Sequence, residues 1–145
     1  MTDPMASANK DVVRSFVAAI NDRDLEALDR LVAPDVKRHS PSTPDVTVNS
    51  LDDFRAFLRQ DLASVPDSRQ EIRMMVAEGD KVAVWMNYSG TQAGPLGPFP
   101  ATGRPVDLDF SGILRLENGR IAEMWVVWDN LGMLTALGHL PPPGS

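Results

Sequence analysis

No cysteine occurs among the 145 residues. That absence excludes disulfides, thiol nucleophiles, thiolate metal sites and iron–sulfur clusters, and it fits a reducing compartment. Only two histidines are present, so a metal site would have to lean on carboxylates. Neither an H-E-x-x-H pattern nor a Ser/His/Asp order is found. Basic residues are in deficit, with 14 Lys plus Arg against 20 Asp plus Glu and a net charge of −6. An acidic chain without a basic stripe is a poor partner for nucleic acid or for an anionic membrane. No long apolar run suggests a membrane span, and the N-terminus lacks the basic-then-apolar order of a secretory signal. The expectation is a cytoplasmic protein that binds neither nucleic acid nor membrane.

What is present reads as one folded domain over 1–145, with frayed ends at about 1–8 and 140–145. The chain is 43% hydrophobic and 23% charged, ordinary values for a globular protein. Its length lets it bury roughly 68–70% of its extended surface. Val12, Val13, Phe16, Val17 and Ile20 recur at helical spacing, and Asp24 can cap a shorter helix carrying Leu25, Leu28 and Leu31. Ala33-Pro34-Asp35 is expected to stop that helix, and Val36 to His39 to form a short strand. Ser50 to Asp53 is a capping-box pattern ahead of an apolar stripe of Leu51, Phe54, Phe57, Leu58 and Leu62.

Strand texture follows. Strands are predicted over 72–77, 82–88, 106–116 and 121–128. A long Gly/Pro-rich connection over 90–103 separates the second from the third, and Asn118-Gly119 marks a type I′ hairpin. Asp129 can cap a last helix closed by Gly138. Helices first and a meander of antiparallel strands after them mean an α+β fold. A strongly curved sheet on helices encloses a cone, and such cavities hold small molecules. In the last strand, alternation puts Met124, Val126 and Trp128 on one face and Trp125 and Val127 on the other. Both faces are apolar, so the outer one is expected to be covered, which predicts a homodimer.

The order of elements resembles the SnoaL-like polyketide cyclases, within the nuclear-transport-factor-2-like superfamily of cone-shaped α+β barrels. The resemblance is carried from about Val12 to Gly138 by six pieces. They are Phe16 to Asn21, Leu31 to Val36 with His39-Ser40-Pro41, Gly90 to Gly94, Pro100 to Arg104, Glu117 to Glu123, and Trp128 to Gly132 ahead of Leu137-Gly138. It implies N-terminal helices packed in a strongly curved antiparallel or mixed sheet, a homodimer, an apolar pocket for a hydrophobic small molecule, and no metal or organic cofactor. The pocket it implies is lined by Phe16, Ile20, Phe54, Leu58, Tyr88, Phe110, Gly112, Leu114, Met124, Val126 and Trp128.

In the cyclases an acid/base carboxylate moves a proton during an intramolecular aldol closure. Its position matches Val126 here, and a cyclase histidine and an aromatic match Gly112 and Ile20. The ketosteroid isomerases of the superfamily place their base where Ser40 stands, with His39 beside it. His39 is therefore read as a candidate general base, since an imidazole titrates near neutral pH. The competing reading is a hydrogen-bonded loop histidine. Asp129 is the second catalytic candidate, against its simpler role as a helix cap. Tyr88 or a backbone amide could supply an enolate donor. Three functions follow: a cofactor-independent cyclase, isomerase or lyase acting beside a carbonyl; a non-catalytic small-molecule binder; or a dimeric module whose cone is filled by its own side chains.

Overall fold

The computed structural model describes residues 3–141. Helix α1 spans Pro4–Asn21, which absorbs most of the stretch expected to fray. The Asp3 carboxylate accepts from the Met5 amide at 3.0 Å, and Pro4 at the helix start has no amide to satisfy. Val13, Phe16, Val17 and Ile20 form the buried stripe of α1. A single 3₁₀ turn over Leu25–Ala27 follows, capped by Asp24 as expected, and leads into the short α2, Leu28–Leu31.

The first strand departs from expectation. Strand β1 runs Val32–His39 and starts before the Ala33-Pro34-Asp35 segment expected to be a helix stop only. Its pairing with the last strand shifts register between Val32 and Lys37. Pro34 has no N–H for a ladder and is tolerated here because β1 is an edge strand with that irregularity.

Helix α3, Leu51–Ser64, opens as a capping box. The Asp53 amide donates to Ser50 Oγ at 3.0 Å, and the Asp53 carboxylate accepts in return from the Asn49 amide at 3.1 Å. Strands β2 (Arg69–Glu78), β3 (Lys81–Thr91), β4 (Pro105–Glu117) and β5 (Arg120–Trp128) follow, then α4, Asn130–Ala136. Asn118 and Gly119 have φ values of 53° and 78°, the two left-handed residues that a type I′ turn requires.

The sheet order is β1-β5-β4-β3-β2. All neighbours are antiparallel except β1 and β5, which run parallel, so the sheet is mixed. Helices α1 and α3 lie against its inner face, where Phe16, Leu28, Phe54, Leu58, Met86 and Met124 share one core. A second, smaller cluster of Val65, Val106 and Leu137 closes one end. No helix among the described residues is long and apolar enough to cross a membrane.

The connection between β3 and β4 is anchored to the end of α3. The amides of Ala93 and Gly94 both donate to the Ser64 carbonyl at 3.0 Å, and Ser64 Oγ donates to the Pro95 carbonyl at 2.7 Å. These bonds use a carbonyl that a helix C-terminus leaves open. A Cβ at position 94 would overlap the Ala63 carbonyl oxygen, so this approach needs glycine.

Candidate active site

A cavity of about 160 Å³ lies between the inner face of the sheet and helices α1 and α3. That is the scale of a site holding one six-membered ring. All eleven residues of the implied pocket line it: Phe16 and Ile20 from α1, Phe54 and Leu58 from α3, Tyr88 from β3, Phe110, Gly112 and Leu114 from β4, and Met124, Val126 and Trp128 from β5. Leu96 of the β3–β4 connection and Met133 and Leu137 at the C-terminal end complete one end of the wall.

Four lining residues carry polar side-chain groups: Arg38, Asp61, Gln70 and Tyr88. Asp61 sits on α3 three residues after Leu58 and four before Val65, both buried, and therefore on the helix's inward stripe. The Tyr88 hydroxyl donates to its carboxylate, at 3.1 Å to Oδ1 and 3.2 Å to Oδ2. Burial pushes the Asp61 pKa above the usual carboxylate range. The Tyr88 hydrogen bond and the charges of Arg23 and Arg38 pull the other way without cancelling it. The Tyr88 phenol is itself pushed upward, by burial first and by the Asp61 charge next, so it stays a proton donor to the carboxylate.

Arg38 is the second charged group. The burial pattern along β1 alternates at its end, with Val36 and Arg38 buried and Lys37 and His39 exposed. The guanidinium lies 4.1 Å from the Phe57 ring centre and 5.8 Å from that of Trp128. Nη1 donates to Thr43 Oγ1 at 3.0 Å. Burial lowers the Arg38 pKa to about 10, and the Asp61 charge partly offsets this. The guanidinium remains a cation at neutral pH.

The two catalytic candidates read from sequence lie elsewhere. His39 neighbours Arg38 in the chain but projects from the opposite face. Its Nε2 pairs with Glu123 Oε2 at 2.7 Å, its ring stacks on Trp125, and its side chain is 48% exposed. It is outside the cavity and cannot serve as a base within it. Asp129 is exposed and accepts from the Gly132 amide at 3.0 Å, capping α4; it does not line the cavity either. Asp107 and Asp109 face outward, where both accept from the Asn87 side chain.

The sequence reading missed Asp61 and Arg38, and each carried a detectable signal. On α3 the stripe position given to Leu62 is taken by Asp61, a charge on an otherwise apolar helical face. On β1 the inward alternation of Val36 should have continued to Arg38 rather than to the histidine after it.

A curved mixed sheet wrapped on helices around an apolar cavity defines the α+β cone of the nuclear-transport-factor-2-like class. Within it, the chain belongs to the SnoaL-like polyketide cyclase family, whose model matches residues 10–137. It is similar to TsrD from Streptomyces laurentii, with 31% identity over 97% of this chain and 100% of that one, at a TM-score of 0.82. It is also similar to IdmH from Streptomyces antibioticus, a proposed polyketide cyclase, with 32% identity over 90% and 98% of the two chains and a TM-score of 0.80. A SnoaL-like protein from Jannaschia sp. CCS1 shares the fold at a TM-score of 0.87 and 22% identity, over 98% and 99% of the two chains. No curated protein sequence matches the chain.

Proposed function

We propose that the cavity takes a hydrophobic carbonyl compound and that Asp61 moves a proton on it, without a cofactor, as in a cyclase or isomerase. The observation that carries this reading is a carboxyl group set in an apolar wall, held by Tyr88 and with its pKa raised by burial. A raised carboxylate is a stronger base and titrates closer to working pH. As carboxylate, Asp61 takes a proton from the carbon beside a carbonyl, and the electron pair of that C–H bond becomes an enolate. In a cyclase the enolate carbon adds to a second carbonyl of the same molecule, and the Asp61 acid returns its proton to the new alkoxide. The family and the IdmH likeness support this class of reaction. The family's own acid position is Val126 here, and Asp61 takes over its role from a different wall of the same cavity.

The test is deuterium exchange at the carbon between the carbonyls of small aryl 1,3-diketones in D2O, followed by NMR. The protein is expected to accelerate exchange, and Asp61→Asn to slow the catalysed rate by roughly 10²–10⁴-fold, the size of a lost general base. A ligand that binds without exchanging would instead favour the non-catalytic binding protein.

We also propose that the outer face of the sheet pairs with a second copy. Met74, Val76, Trp85, Ile113, Trp125 and Val127 are between 37% and 66% exposed there, an apolar area of the kind that marks an interaction surface. Sedimentation velocity at micromolar concentration reads the oligomeric state directly.

A further inference from the structure

The proton transfer assigned to Asp61 leaves one buried cation of the cavity unused. Arg38 is 8% exposed. A guanidinium has five N–H donors, and among the described residues this one makes a single side-chain hydrogen bond, to Thr43. Among the described residues no carboxylate lies within 4 Å of it to form an ion pair. Nor is any of its nitrogens sealed off without a partner, since no buried side-chain polar atom of the described residues lacks one. Its unused donors therefore keep accessible surface, and the residue lines the cavity.

The guanidinium is also held in a set orientation. Its central carbon lies over the Phe57 ring and near that of Trp128, and Thr43 accepts from one nitrogen. The segment carrying Thr43 is pinned in turn. Ser42 Oγ donates to the Trp128 carbonyl at 2.8 Å, the Asn130 side chain donates to the Ser42 carbonyl, and Trp128 Nε1 donates to Asn130 Oδ1. A planar fork of donors at an apolar cavity, with no carboxylate at ion-pair distance among the described residues, matches a carboxylate in shape and charge. Burying such a cation unpaired is costly, and a ligand anion would remove that cost.

We propose that Arg38 is an anion subsite and that the cavity's ligand is a hydrophobic carboxylic acid, bound as the carboxylate on Arg38 with its apolar body against the aromatic and aliphatic wall. This deepens the reading of the cavity as a substrate site and names the substrate class. The cavity volume of about 160 Å³ sets the body at about one ring. With the carboxylate on Arg38, the reacting carbon is presented to Asp61 from a fixed end of the molecule.

The test is a ¹⁹F NMR titration of the full chain with 4-fluorophenylacetate and with 4-fluorophenylacetamide, its neutral near-isostere. The acid is expected to bind at least tenfold more tightly than the amide, the size of a charge-assisted pair. Arg38→Met should bring the acid to the affinity of the amide, and Arg38→Lys should restore part of the gap. Asp61→Asn should keep the gap or widen it, because it removes a like charge from the cavity. Should Arg38→Met fail to fold, the ¹⁵N signal of the Arg38 guanidinium in the unsubstituted protein reports the same contact, shifting with the acid and not with the amide. Equal affinity of the two ligands, no binding of either, or a preference that survives Arg38→Met would overturn the proposal. No turnover enters these measurements. An anion preference together with an Asp61→Asn variant of normal exchange rate would thus leave the subsite standing and remove the proton-transfer reading alone.

Discussion

The two faces of the sheet are built from the same kinds of residue and differ in what each does with its charges. The inner face presents Val84, Met86, Leu108, Phe110, Met124 and Val126 to the cavity. The outer face carries Trp85, Ile113, Trp125 and Val127. On the outer face the charged groups are held by partners close to the surface: Arg115 pairs with Glu123, which also hydrogen-bonds His39, and the Asn87 amide donates to Asp107 and Asp109. The Glu123 carboxyl is held below its usual range, first by the His39 hydrogen bond. On the inner side, Arg38 and Asp61 lie within reach of each other's field without closing an ion pair, and burial works against the charged form of each. Apolar content therefore does not mark a site. Charge kept apart from its partner in apolar surroundings does, because only there does solvent leave the charge free to act on a ligand.

That contrast can be broken from either side. After the loss of exchange expected of Asp61→Asn, the largest effect is expected from Ile113→Glu, which places a carboxylate in the middle of the outer apolar area. It should weaken self-association by about 30-fold or more, as for an interface hot spot, while leaving ligand binding in the cavity intact. Sedimentation velocity and the ¹⁹F titration read the two outcomes separately. Tyr88→Phe acts on the inner face alone. It removes the hydrogen bond that lowers the Asp61 pKa, so the acid limb of the rate profile should move to higher pH. An unmoved limb would show that Asp61 does not govern that limb.

Asp61→Asn should also reveal itself in stability, and the sign is fixed. A carboxyl whose pKa is raised on folding stabilises least once pH has risen past its folded pKa, where the buried group must ionise. The variant should therefore be more stable than the parent at neutral pH. The advantage should fade as pH falls through the raised folded pKa toward the unfolded carboxyl value of about 3.9, and be gone below it, which chemical denaturation across pH would follow. The smallest effect belongs to His39→Ala. Its partner Glu123 keeps Arg115, and the exchange rate should stay within about twofold, since an exposed pair contributes little.

The sequence was most informative where one local rule decides the outcome. Asp24, Ser50 and Asp129 cap as their types require, and Asn118-Gly119 turns as a hairpin pair must. The wall positions, ten apolar and Tyr88, follow from alternation, helical spacing and family likeness together. The charged members of the site were harder to read because each differs from a decoy by a single step of register. On β1 the histidine offers the more familiar base while the inward position is Arg38, and a one-residue slip in a strand exchanges its faces. On α3 helical spacing continues the stripe through Leu62, and Asp61 is its neighbour. The tie between Thr43, Ser42 and Trp128 had no signal in the sequence, since it joins segments some 86 positions apart.

The seam between the β3–β4 connection and the last turn of α3 has a bearing on how this protein could be redesigned. Ser64, gripped by Ala93, Gly94 and Pro95, lies one turn along the helix from Asp61. The same connection contributes Leu96 to the cavity wall. A graft of that segment from a relative, made to reshape the entrance for a new molecule, would also tilt the helix end that carries the carboxylate. Entrance shape and proton-transfer geometry are one coupled variable here, so a library that diversifies positions 92–104 should diversify the end of α3 with them.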